Sequence, residues 1–122
     1  MTLIVYVYAK CSTCQNALRF LEQNKIAFVS KEITKTPPSV EELNKMLSFQ
    51  QNVRKLFNTS GLLYKELRLS QKLPEMSLTQ SLELLTTHGM LVKRPFLLGT
   101  HIGLLGFKEE EWKTALLKVK VL

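Results

Sequence analysis

The stretch Tyr8-Ala9-Lys10-Cys11-Ser12-Thr13-Cys14 constrains this chain more than any other, and it holds both of its cysteines. Before it, residues 2–8 alternate and carry Ile4, Val5, Tyr6, Val7 and Tyr8, the pattern of a buried strand. After it, Cys14, Ala17, Leu18 and Leu21 recur at helical spacing, with Phe20 beside them. Ser12 or Thr13 is the expected cap of a helix running to about Asn24. A cysteine pair at a strand-to-helix turn is the arrangement of a redox thiol site.

The strand needs a partner. Ile26-Ala27-Phe28-Val29 reads as a second strand, and strand-helix-strand implies a parallel pair with a right-handed crossover. Residues 31–38 form an extended connection ending in Pro37-Pro38. Ser39 three positions before Glu42 is a capping box, and the helix it opens carries Leu43, Met46, Leu47 and Phe49. A helical turn over 53–57, a break at Asn58-Thr59-Ser60-Gly61 and a short helix over 62–67 follow. Ser77 and Gln80 make a second capping box, opening a helix with Leu78, Leu82 and Leu85 on its apolar side. That helix ends near His88-Gly89, where glycine suits a left-handed C-terminal position. Phe96 to Leu105 reads as a hairpin around Gly99-Thr100, closed by Gly106. A last helix over 108–118 has Glu109, Glu110 and Glu111 at its start and Lys118 and Lys120 at its end, an order that suits the helix dipole.

The resulting string is β-α-β, a helical middle, then β-β-α. The expected fold is α/β: a thioredoxin-like mixed sheet with a helical insertion. One domain spans 1–122, with its core in 1–36 and 89–122 and the insertion in 37–88. A chain of 122 residues buries about two thirds of its unfolded surface, so it needs neither a disulfide nor a metal to fold. No apolar run approaches the roughly 18 residues of a membrane span. The N-terminus has no basic segment before its short apolar run, so it reads as a strand and the cytoplasm is the expected compartment. There a cysteine pair points to catalysis, redox sensing or metal binding rather than to a structural staple. The net charge of +7 permits attraction to nucleic acid or acidic protein surfaces, but its spread along the chain reads first as a solvated basic surface. Lys and Arg are dispersed, with no run of five or more, so direct nucleic-acid binding is not expected.

A thiol reacts as its thiolate, which a helix N-terminus favours. Cys11 sits where the helix begins and reads as the nucleophile. Cys14, one turn further in, reads as the resolving thiol that attacks a mixed disulfide at Cys11. Lys10 adds positive charge beside them. Two other readings of the pair stay open. It is half of a zinc site shared between chains, although His88 and His101 do not match zinc-ligand spacing. Or it is two buried core thiols. Arg94-Pro95 is the second feature. In a thioredoxin-like layout a proline at this point faces the cysteine turn, so Pro95 is expected to be cis. Arg94 is then expected near Cys11, able to hold an oxyanion or carboxylate in bidentate fashion.

These pieces, with Pro37-Pro38-Ser39, Glu41-Glu42-Leu43, Leu56 to Gly61, Tyr64 to Leu67, Met90 to Pro95 and Gly106-Phe107-Lys108, resemble the arsenate-reductase-like (ArsC/Spx/MgsR) family of the thioredoxin-like superfamily. The resemblance runs from about Leu3 to Leu117. It implies that Cys11 matches the family's nucleophile and Arg94 its arginine before proline. Arsenate reductases of this family hold the oxyanion with three arginines. Only Arg94 is matched here; the other two positions fall at Asn58 and near Gly106 or Phe107. An oxyanion would lose two charge-assisted contacts, each worth about 1.5–3 kcal/mol. Those reductases also lack a second cysteine in the motif. The implied function is therefore a thiol–disulfide oxidoreductase that is not a true arsenate reductase. Cys11, Cys14 and Arg94 would be catalytic, and Lys10, Ser12, Thr13, Asn58 and Pro95 would shape the binding site. It would need no cofactor beyond glutathione as a co-substrate, or a glutaredoxin- or thioredoxin-type donor. The alternative is a redox-switched regulator of the Spx type, which binds the RNA polymerase α-subunit.

Overall fold

A computed structural model describes residues 2–117. The elements are β1 (Leu3–Val7), α1 (Ser12–Gln23), β2 (Phe28–Glu32), α2 (Val40–Gln50), α3 (Leu62–Glu66), α4 (Leu69–Lys72), α5 (Leu78–Thr87), β3 (Phe96–Leu98), β4 (Gly103–Leu105) and α6 (Glu109–Leu117). Short 3₁₀ turns cover Val53–Leu56, Leu73–Glu75 and Gly89–Leu91. The strands form one sheet in the order β2-β1-β3-β4. β1 and β2 are parallel, and the other pairs are antiparallel. This is the expected thioredoxin-like mixed sheet.

The period-2 alternation of the strands divides the core in two. Val5 and Val7 of β1, Leu97 of β3 and Leu104 of β4 pack with Cys14, Ala17 and Leu21 of α1 and Trp112 of α6. Tyr6, Phe96 and Leu98 point to the other face and pack with Leu43, Met46, Leu82 and Leu85 of the helical middle. Each such fully buried side chain contributes about 1.5–3 kcal/mol. On the α1/α6 face, Trp112 stands edge-on to Phe20 and to Phe107, with centroids 6.2 and 4.9 Å away. Its Nε1 donates to the Gly106 carbonyl at 3.1 Å. The turn at Gly106 (φ +70) is thereby fixed against α6.

Both capping boxes form, at Ser39/Glu42 and Ser77/Gln80. The first is also tied to the sheet. Glu42 Oε1 accepts the Ser39 N–H at 2.9 Å and the Tyr6 hydroxyl at 2.7 Å. Burial, and then the Glu42 carboxylate, push the Tyr6 hydroxyl well above the usual phenol range. A single β-bridge joins Phe57 to Val92, with Asn58 N–H donating to Leu91 O at 2.7 Å and Lys93 N–H to Leu56 O at 2.8 Å. It clips the helical middle to the strand that leads into β3.

Several sequence expectations shift. The second strand starts at Phe28 and runs to Glu32, not 26–29. Lys25 takes a left-handed conformation (φ 56), and the Lys25 and Ile26 N–H groups return to Glu22 O and Leu21 O. Ile26 thus belongs to a Schellman cap, and β2, at the sheet edge, tolerates Ser30, Lys31 and Glu32. The extended connection is a turn over 33–36 that buries Ile33 completely. Gly89 is not left-handed. It is glycine because a Cβ there would run into the Ile33 carbonyl oxygen. The hairpin loop has four residues, closed by Gly99 N–H to Ile102 O at 2.8 Å. Residues 69–75 add a helix and a 3₁₀ turn absent from the expected string, with Leu69 and Leu73 buried four positions apart. Leu78 is 48% exposed, its place on the buried face taken by Ser81. Lys118 and Lys120 lie outside the described residues.

Candidate active site

Cys11 is itself the N-cap of α1, with extended backbone (φ −101, ψ 112), and its Sγ accepts the Cys14 N–H at 3.2 Å. Ser12 and Thr13, the expected caps, are already inside the helix. The chain reaches this point through a tight turn, in which Cys11 N–H donates to Tyr8 O at 3.0 Å. A backbone donor and the positive end of the helix dipole therefore both face the Cys11 sulfur.

Both cysteines are free thiols, Cys11 partly exposed and Cys14 fully buried. The Cys14 thiol is pushed up to about 12, first by burial and then by its hydrogen bond with Cys11. A Tyr8 backbone hydrogen bond and the charge of Arg94 pull in the opposite direction without cancelling it.

The Arg94–Pro95 peptide bond is cis, as expected. Arg94 Nη1 donates to the carbonyls of Met90 (3.2 Å) and Val92 (3.3 Å). Its guanidinium carbon lies 5.1 Å from the centroid of the Tyr8 ring, a cation–π contact. Arg94 is thus held between the backbone that follows the helical middle and the residue that opens the cysteine turn. Its Nε is buried without a hydrogen-bond partner.

A cleft of about 370 Å³ opens at this point. Of the residues singled out in the sequence, Cys11, Thr13, Asn58 and Arg94 line it. Lys10 and Ser12 are exposed and do not. Pro95 is buried behind Arg94 and does not line it either. Two cations not among the expected site residues, Lys93 and Lys108, stand in its wall, with Phe107 between the Gly106 turn and Trp112. Among the described residues, no carboxylate lines this cleft. The signal for Lys93 was its place next to Arg94-Pro95, and for Lys108 its place in Gly106-Phe107-Lys108. The two arginine positions lacking in the sequence are thus partly replaced in charge. Lysine supplies a point charge without the planar fork that grips an oxyanion in bidentate fashion.

Comparison with known proteins agrees with this geometry. A profile of the ArsC family matches residues 6–115. The uncharacterized protein YusI of Bacillus subtilis is 40% identical over 114 residues, 93% of this chain and 97% of that protein. The global transcriptional regulator Spx 2 of Bacillus cereus is 28% identical over 109 residues, 88% of this chain and 82% of its own. Among solved structures, an ArsC family related protein from Bacteroides fragilis superposes with a TM-score of 0.87 at 43% identity, covering 93% of this chain and 97% of that one. The profile covers nearly the whole described sheet, both cysteines and the Arg94-Pro95 step, and on that ground this chain belongs to the ArsC family.

Proposed function

We propose that the protein is a thiol–disulfide oxidoreductase in which Cys11 attacks and Cys14 resolves. The observation that carries this reading is the N-cap geometry. A partly exposed sulfur receives the N–H of a second, buried cysteine at 3.2 Å, in a cleft lined by cations. In the first step the Cys11 thiolate bonds to one sulfur of a disulfide and expels the other as a thiolate. In the second, Cys14 gives up its proton and attacks Cys11 Sγ. The remaining substrate half leaves as a thiolate, and a Cys11–Cys14 disulfide remains. Two electrons pass to the substrate. A small thiol or a dithiol protein of the glutaredoxin or thioredoxin type would return them.

The electrostatics favour this order. Two of the influences that keep Cys14 protonated come from Cys11, and both need Cys11 as a free thiol or thiolate. Once Cys11 is in a mixed disulfide it carries no charge. The Tyr8 backbone contact and Arg94, which favour the Cys14 thiolate, remain. Burial, the largest influence on Cys14, persists throughout, so reaction at Cys11 lowers the restraint on Cys14 without removing it. The test is trapping: Cys14→Ser protein with glutathione disulfide at neutral pH should accumulate a Cys11–glutathione adduct, seen by intact mass. Absence of any adduct would remove the reading.

A redox-switched binding module is the second reading. The observation in its favour is the similarity to Spx 2 over 109 residues. It predicts capture of the RNA polymerase α-subunit by either the oxidised or the reduced protein but not both equally. No capture in either state would end it.

A further inference from the structure

A second cleft, of about 480 Å³, adjoins the first and shares Lys93, Leu105 and Lys108 with it. Its far wall carries Arg54 and Lys55, from the 3₁₀ turn of the helical middle. Glu111 is its one carboxylate. Among the described residues, the side chains of Arg54, Lys55, Lys93 and Lys108 make no ion pair; the only salt bridges join Lys113 to Glu109 and Glu110. Lys93 is nonetheless seated. Its Cε lies 3.3 Å from where a Cβ on Gly106 would stand, so its stem lies against the glycine turn between the two clefts.

Five cations, counting Arg94, therefore line two connected clefts that hold one carboxylate between them. Like charges gathered without counter-charges repel one another, and a ligand that brings several carboxylates relieves this. Five cations outnumber the two carboxylates of a small thiol such as glutathione, which would leave several of them unmatched. We propose that the two clefts form one groove for an acidic peptide segment bearing the reactive disulfide, its sulfur at Cys11 and its flanking carboxylates on Arg54 and Lys55. This rests on the thiol–disulfide reading of Cys11 and names its substrate class. The sulfur of the peptide cysteine bonds to Cys11 and its former partner leaves as a thiolate.

Three synthetic peptides test this. Each carries one cysteine joined to a chromogenic thiol, flanked by Glu, by Gln or by Lys in otherwise identical sequences. Reaction with Cys14→Ser protein is followed by release of the chromogenic thiol. The Glu-flanked peptide should react about tenfold faster than the Gln-flanked one at low salt, with the Lys-flanked one slowest, and high salt should compress the series. Replacing both cations (Arg54→Gln with Lys55→Gln) should bring the Glu/Gln ratio to within about twofold. Lys72→Gln, on the exposed side of α4, should leave it unchanged. Equal rates for Glu- and Gln-flanked peptides, or an advantage that survives the double substitution, would overturn the groove while leaving Cys11 chemistry intact. Failure of all three peptides to modify Cys11 would instead overturn the thiol–disulfide reading, and the groove with it.

Discussion

One face of the sheet carries α1 and α6 over Val5, Val7, Leu97 and Leu104; the other carries the helical middle over Tyr6, Phe96 and Leu98. The first face supplies the sulfurs. Cys14 is part of its core, and Cys11 caps its longest helix. The second supplies reach: Asn58, Arg54 and Lys55 sit on the segment that the Phe57–Val92 bridge clips beside Arg94. The candidate site lies where the two meet. Its chemistry is local to one turn, and its charge is assembled from three separate segments.

Truncating one large side chain in each core separates the two faces most sharply. Trp112→Ala and Leu85→Ala should each lower stability, by about 3–5 and 2–5 kcal/mol respectively, in denaturant unfolding. They should differ at the site. Trp112 holds the Gly106 carbonyl and stacks edge-on to Phe107, which lines the cleft. Loss of Trp112 should therefore slow Cys11 modification in the folded protein, whereas loss of Leu85 should not. Equal effects on Cys11 would mean that the two faces are not separable in this way.

The buried thiol gives a pH signature. An unfolded cysteine ionises at about 8.5, and Cys14 in the fold at about 12. Between these values the unfolded chain holds fewer protons than the folded one. The contribution of Cys14 is thus complete below the lower value and falls as pH rises through the window. The alkaline loss of stability should be shallower in Cys14→Ala than in the parent protein, by denaturant midpoints at increasing pH.

Arg94→Lys keeps a charge but loses the Nη1 that donates to both Met90 O and Val92 O and the planar face over Tyr8. Mixed-disulfide formation at Cys11 should slow by about tenfold, the loss of one charge-assisted contact. Rates equal to the parent would show that Arg94 serves only as a positive charge. The smallest effects belong to the caps. Ser77→Ala should cost about 1 kcal/mol. Ser39→Ala should cost about as much, since it removes only the Oγ that accepts the Glu42 N–H and leaves the Ser39 N–H on the Glu42 carboxylate.

Much of the first face was legible in the sequence, because its signals are periodic or local. The alternation through Val7 and the spacing of Cys14, Ala17 and Leu21 each act over no more than eight residues; on the other face, the two serine capping boxes mark only where α2 and α5 begin. The cap of α1 was misplaced because sulfur is an uncommon capping atom and two hydroxyl residues follow it. The start of β2 was misplaced because a left-handed lysine has no sequence signal as clear as glycine. The second face was less legible. Ile33 is buried from within a turn, and residues 69–75 pack through a single i,i+4 pair, Leu69 and Leu73, too short a run to mark a helix by itself. At the site, the sulfurs and Arg94 could be named from motifs. Lys93 and Lys108 lie in the same motifs, but nothing in the sequence marked them as site residues, because what qualifies them is a cleft wall they share.

The division of labour between the two cysteines is open to a direct count. A chromogenic disulfide mixed in excess with reduced protein should release two thiols per chain from the parent, the second after Cys14 closes the disulfide. Cys14→Ser should release one and stop at the mixed disulfide, and Cys11→Ser should release essentially none on the same timescale. A Cys11→Ser protein that reacts as fast as the parent, or a parent protein that stops at the Cys11 mixed disulfide after one released thiol, would contradict the assignment of Cys11 as the attacking sulfur and Cys14 as the resolving one.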